Sequence, residues 1–143
     1  MRICRLDING FRGIKEGSVT FPEHALLLGP NNCGKTTVAE ALALLFGRER
    51  AVTRQLSDWD FFGGTPKADT RFTLIGTVPA FGDGTVTDPG QFPDWFCGER
   101  GATPVWFRED TGEVLYAPDP PLGTKLAAQI ALTGRYDEDA CAF

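Results

Sequence analysis

His24-Ala25-Leu26-Leu27-Leu28-Gly29-Pro30-Asn31-Asn32-Cys33-Gly34-Lys35-Thr36-Thr37-Val38-Ala39-Glu40-Ala41-Leu42 is the stretch whose reading decides the fold. Its middle, Gly29 to Thr36, has the pattern G-x-x-x-x-G-K-[ST] and predicts a loop that cradles phosphates. Two glycines let the backbone curl and aim successive N–H groups at phosphate oxygens. Lys35 then reaches the β- and γ-phosphates, and the Thr36 hydroxyl is placed to ligate Mg2+. Four constrained positions give roughly one accidental match in a few hundred chains of this length. The flanks narrow the reading further. Residues 24–28 form a short apolar run, expected to be a buried strand, and residues 37–46 form a helix-favouring run with Gly47 placed to stop it. The helix adds its positive N-terminal end to the same target. The candidate nucleotide-binding residues are therefore Gly29, Asn31, Asn32, Cys33, Gly34, Lys35, Thr36 and Thr37, with Thr36 the candidate metal ligand.

Bulk properties exclude several classes. At 143 residues, 42% hydrophobic and 23% charged, the chain has the composition of an ordinary globular domain or of one lobe of a larger one. No apolar run approaches the roughly 20 residues that span a bilayer, and the start lacks a signal-peptide stretch. The expectation is a cytoplasmic protein with no membrane partner. A net charge of −5 without a lysine or arginine run offers no basic footprint for DNA on this segment. Cysteines at 4, 33, 97 and 141 are too scattered for a metal knuckle. Cys33, inside the loop, reads either as a thiol sensitised by Lys35 and nearby N–H groups or as a small loop residue.

Along the chain, residues 2–9 alternate as a half-solvated strand, 10–14 turn, and 17–21 return as the second strand of a hairpin. His24 stands at a strand entrance without a nucleophile beside it. Residues 48–67 are loop-rich. Within them, Asp58-Trp59-Asp60-Phe61 reads as a turn with a buried aromatic anchor rather than a metal site. Residues 71–78 make a strand closed by Pro79, and 80–102 are an irregular insertion rich in Gly, Pro and Asp. Residues 103–107 and 113–117 flank Asp110-Thr111-Gly112 as a hairpin. Residues 125–133 alternate as a strand, with a helix as the alternative, 134–139 turn, and 141–143 enter a further strand. No internal repeat or low-complexity stretch is visible.

The first strand ending in Asn9-Gly10-Phe11-Arg12-Gly13-Ile14, the short second strand, and Leu27-Leu28-Gly29-Pro30-Asn31-Asn32-Cys33-Gly34-Lys35-Thr36-Thr37 with Glu40-Ala41-Leu42 resemble the N-terminus of ABC-type ATPases of the SMC, RecF and OLD group. The doubled asparagine most resembles the OLD (overcoming lysogenization defect) ATP-dependent endonucleases, which join an ABC-type ATPase to a C-terminal Toprim nuclease. The likeness is specific over residues 1–47 and loose over 48–143. It implies an α/β P-loop NTPase fold, an N-terminal lobe with a mixed β-sheet around the phosphate loop and the following helix. It also implies ATP and Mg2+ as ligands, a homodimer through the ATPase domain, and DNA contact through other parts of a longer protein. Carried over by position, Arg12 is expected near the phosphates, where its planar fork suits paired bonds to oxygen. The alternative is a turn arginine at the surface. Glu40, one turn into the helix, reads as structural.

An ATPase of this kind also needs an acidic residue at the end of an apolar strand and a water-activating glutamate. Val105-Trp106-Phe107-Arg108-Glu109-Asp110 is the nearest match and fits poorly, because Arg108 interrupts the apolar run. Neither a serine-glycine-glycine signature segment nor a Toprim acid cluster is present in the 143 residues. The sequence therefore reads as the first ATPase lobe of a longer protein, with its catalytic residues not identified. Two other readings stay open: a RecF- or SMC-like DNA ATPase without a nuclease, and a nucleotide-binding interaction module that stands alone.

Overall fold

The computed structural model describes residues 2–46, 56–79 and 105–137. Within the described residues, six strands and one long helix follow in the order β1 (Arg5–Phe11), β2 (Ile14–Thr20), α1 (Lys35–Phe46), β3 (Arg71–Pro79), β4 (Val105–Arg108), β5 (Glu113–Tyr116) and β6 (Lys125–Arg135), with a short 3-10 turn at Asp58–Asp60. The strands join in one sheet ordered β2-β1-β3-β6-β4-β5.

Local sequence explains most of these elements. In β1, Leu6 and Ile8 are buried while Arg5, Asp7 and Asn9 face the other way, the period of two that a one-sided sheet requires. Arg12 and Gly13 turn the chain, and β2 returns with Phe11 opposite Ile14 and Arg5 opposite Thr20. The longest pairing is β3 with β6, from Arg71 opposite Arg135 to Pro79 opposite Ala127. The alternation over 125–133 is thus a strand, and the helical alternative fails. Asp110, Thr111 and Gly112 lie between the paired β4 and β5, as their turn chemistry predicts.

Helix α1 buries Val38, Ala41 and Leu44, spaced three apart along one stripe. That stripe meets Leu6, Ile8, Phe11, Phe72 and Leu74 of the sheet, and Phe61 joins the same core. Each such side chain withdrawn from water contributes about 1.5–3 kcal/mol. Three aromatic contacts fix the corner near the first hairpin: Phe11 with Phe72 at 5.0 Å, Phe61 with Phe72 at 5.5 Å, and Phe61 with Tyr136 at 5.6 Å between ring centroids. A smaller cluster of Cys4, Phe107 and Ala127 closes the far end of the sheet. Trp106 is buried and donates its indole N–H to the Ala117 carbonyl at 2.9 Å.

Two expectations are corrected. The sheet is not mixed: every strand pairing among the described residues is antiparallel. Helix α1 does not cross between parallel neighbours; it lies over one face, and the strand that follows it, β3, runs antiparallel beside β1. Residues 24–28 are not a strand. Apolar composition records a preference for burial, but a strand also needs a neighbour, and no described strand pairs with this run. Leu26 and Leu28 are 80% and 81% exposed. No helix among the described residues is long and apolar enough to cross a membrane. The helix stop at Gly47, the insertion over 80–102 and the final run at 141–143 lie outside the described residues.

Candidate nucleotide site

The phosphate loop is built where chain and helix meet. Asn32 adopts φ 66° and Gly34 φ 93°, so the backbone passes twice through the left-handed region just before α1 begins at Lys35. Asparagine and glycine tolerate that geometry better than other residues. At Gly29 a Cβ would lie 2.7 Å from Cys33 Sγ, so a side chain there would require the exposed thiol to turn aside. The loop folds onto itself through its lysine. Lys35 Nζ donates to the Gly29 and Pro30 carbonyls at 2.6 Å each and stands 3.5 Å from Cys33 Sγ. Six of the eight loop residues, Gly29 to Cys33 and Thr36, are exposed, and Thr37 is half-buried.

Electrostatics at this point favour an anion. Helix α1 has no acidic residue in its first turn, so its positive end is not offset by its own side chains. Twelve residues make it long enough for the terminal N–H groups to act together. The loop N–H groups, the helix end and the Lys35 ammonium all belong to one short, largely exposed stretch, Gly29 to Thr36. The Thr36 hydroxyl is exposed beside them. Backbone N–H groups and an ammonium are donors of the kind that suits phosphate oxygens, and a hydroxyl is a hard oxygen of the kind that suits Mg2+.

Arg12 is where the structure adds most. It holds φ 51°, unusual for a residue other than glycine, and its side chain turns toward two carboxylates. Nε and Nη2 both lie 2.9 Å from Asp60 Oδ1, and Nη1 pairs with Glu40 of α1. Its guanidinium also lies 5.5 Å from the Phe11 ring centroid. Asp60 is 1% exposed and accepts from the Ser57 backbone N–H at 3.0 Å and hydroxyl at 3.3 Å. Main-chain bonds tie the same two segments: Arg12 N–H to the Asp60 carbonyl at 3.1 Å, and Phe62 N–H to the Gly10 carbonyl at 2.8 Å. The turn of the first hairpin, the 3-10 turn and α1 are thus joined at one arginine. Glu40 has the structural role expected of it. The link from Asp60 to Arg12 was not anticipated: the local pattern Ser57-x-x-Asp60 marks the carboxylate as a cap of its own turn, but its arginine partner lies 48 positions away.

The remaining sequence candidates fall elsewhere. His24 is exposed on the unpaired run. Glu109 pairs with Lys125 at 2.9 Å at the surface, far in character from the end of a buried strand. Among the described residues no group of three or more His, Cys, Asp or Glu stands ready to hold a metal.

The chromosome partition protein Smc of Myxococcus xanthus (strain DK1622) is 47% identical over 53 residues, 36% of this chain. The chain thus spans 4% of the length of that curated relative. No solved structure matches. A family model described as AAA ATPase domain matches residues 1–74, which is 74 of 143 residues and just over half of the chain. The matched stretch contains the first hairpin, the phosphate loop, α1 and the Asp60 turn, and the chain belongs to the AAA ATPase domain family of nucleotide-binding ATPases.

Proposed function

We propose that the chain binds Mg-ATP at residues 29–37 and serves as the nucleotide-binding lobe of a larger ATP-driven machine acting on DNA. The observation that carries this reading is the Lys35 ammonium at the start of α1, poised inside a loop of left-handed backbone. Lys35 exchanges the Gly29 and Pro30 carbonyls for the β- and γ-phosphate oxygens, and loop N–H groups of 31–36 hold the rest of the triphosphate. Thr36 holds Mg2+, which offsets the charge of the phosphates when bound. Arg12, the further candidate for phosphate contact that the family likeness offers, has its guanidinium on Asp60 and Glu40. Turnover then rests on an acidic residue and signature segment supplied by further chain or by the second copy in a homodimer.

The finer reading is an OLD-type endonuclease in which ATP controls a nuclease, supported by the doubled Asn31-Asn32. A second reading, an SMC- or RecF-like DNA ATPase without a nuclease, is supported by the 47% identity to the Myxococcus Smc.

Titration with a fluorescent methylanthraniloyl-ATP tests the site. Saturable, Mg2+-dependent binding is expected, with Lys35→Ala weakening it about 100-fold or more, since two or more charge-assisted bonds are lost. Unchanged affinity in Lys35→Ala would overturn every nucleotide reading. ATP-dependent cleavage of DNA by the full-length chain separates the endonuclease from the SMC-like reading.

A further inference from the structure

The Arg12 junction has a role that the phosphate loop alone does not explain. We propose that Asp60 is a positioning residue of the nucleotide site, acting through Arg12 and Glu40 to hold the start of α1 against the turn of the first hairpin. The inference rests on the proposed nucleotide site and adds residues that do not touch the nucleotide.

Burial and charge carry the argument. Asp60 is a carboxylate that is almost completely withdrawn from water, which is costly unless it is paired and hydrogen-bonded. Replacing such a pair by apolar side chains is often neutral for stability, so a buried ion pair is better explained by the geometry it imposes. Here the geometry is specific. Arg12 Nε and Nη2 form the edge of the guanidinium that faces Asp60, and Nη1 is left to point at Glu40. A planar fork cannot keep both partners if either moves, unlike the point charge of a lysine.

The place where this fork grips matters as much. Glu40 lies five residues after Lys35, about 7.5 Å along the helix axis. Fixing the helix there sets where its first N–H groups and Lys35 stand. On the other side of the loop, Ile14 Cδ1 lies 3.5 Å from where a Cβ on Gly34 would stand, so the same hairpin also borders the loop. The ion pair from Arg12 to Glu40, with Ile14 of the same hairpin bordering Gly34, thus locates the helix start. The three charges sum to −1, so the junction as it stands does not itself attract phosphate. That favours positioning over direct capture by Arg12 in this arrangement.

The test is a double-mutant cycle on the full-length chain, read by methylanthraniloyl-ATP affinity at a temperature where circular dichroism shows each variant folded. Asp60→Asn and Arg12→Gln are each expected to weaken binding about tenfold, the worth of one charge-assisted bond. Because Asp60 acts through Arg12, the double variant should bind no more weakly than Arg12→Gln alone. Losses that multiply would overturn the inference, as would full affinity in Asp60→Asn. If Asp60→Asn does not fold, Glu40→Gln, which lies at the more exposed end of the bridge, carries the same test: a loss expected, wild-type affinity overturning. Absence of binding in the wild-type chain would instead defeat the nucleotide site itself. Wild-type binding with Lys35→Ala inactive and both carboxylate variants unaffected would defeat the positioning role alone.

Discussion

Phe72 and Gly134 face each other across β3 and β6, and the Phe72 ring occupies the space that a side chain at 134 would need. The ring cannot yield, because Phe11 and Phe61 pack against it from the other sides and Phe72 is fully buried. An aromatic ring lying over a cross-strand glycine covers bare backbone and locks the register of the pair. Gly134→Ala is therefore expected to destabilise the fold by about 2–3 kcal/mol through overpacking. Urea unfolding of the two chains measures it, and equal midpoints would mean that the ring is free to move.

Arg12→Ala leaves Asp60 buried without its strongest partner. Breaking such a pair from one side costs about 3 kcal/mol, somewhat less here because Arg12 is itself a quarter exposed. The expected outcome is a loss of about 2 kcal/mol together with weaker nucleotide binding. A surface turn arginine would leave both stability and affinity unchanged, so chemical denaturation alone already separates the two roles.

Cys33 is exposed and Cys4 is buried. Peptide mapping after brief treatment with iodoacetamide should find Cys33 modified well before Cys4. Saturating Mg-ATP should slow the reaction at Cys33, since the phosphates would cover the loop that carries it. Labelling of Cys33 at the same rate with and without nucleotide would place the ligand elsewhere.

Cys4 also predicts a pH dependence. Its thiol donates to the Thr77 carbonyl at 3.1 Å, and burial pushes its pKa up from 9.0 to about 11. The folded chain thus holds this proton more tightly than the unfolded chain. Its contribution is fully present below pH 9 and is lost as pH rises from 9 toward 11. The loss is on the order of 2 kcal/mol. Stability curves for the wild type and Cys4→Ala should converge in slope below pH 9 and diverge above it, the wild type falling faster.

Periodicity made the first hairpin, α1, β3, the β4–β5 hairpin and β6 readable, because each is set by neighbours within a few residues. The phosphate loop was readable because its chemistry demands fixed residue types at fixed spacing. Residues 24–28 were misread for a physical reason: Leu26, Leu27 and Leu28 state that burial is favourable and say nothing of what buries them. The antiparallel order of the sheet was hidden for a similar reason, since it depends on which strand β3 and β6 choose. The Arg12–Asp60–Glu40 bridge joins three segments that are remote in sequence, and only the fold brings them together.

The bare run ahead of the phosphate loop also bears on how the protein behaves in solution. Between Glu23 and Lys35 no acidic or basic side chain interrupts the sequence apart from His24, and Leu26 and Leu28 stand in water. An uncharged, apolar stretch of this kind is where chains adhere to one another. A bound triphosphate sets several negative charges at the end of that stretch. On the proposed site, ligand occupancy is expected to set colloidal stability: light scattering should find the loaded protein dispersed at concentrations where the empty one clouds.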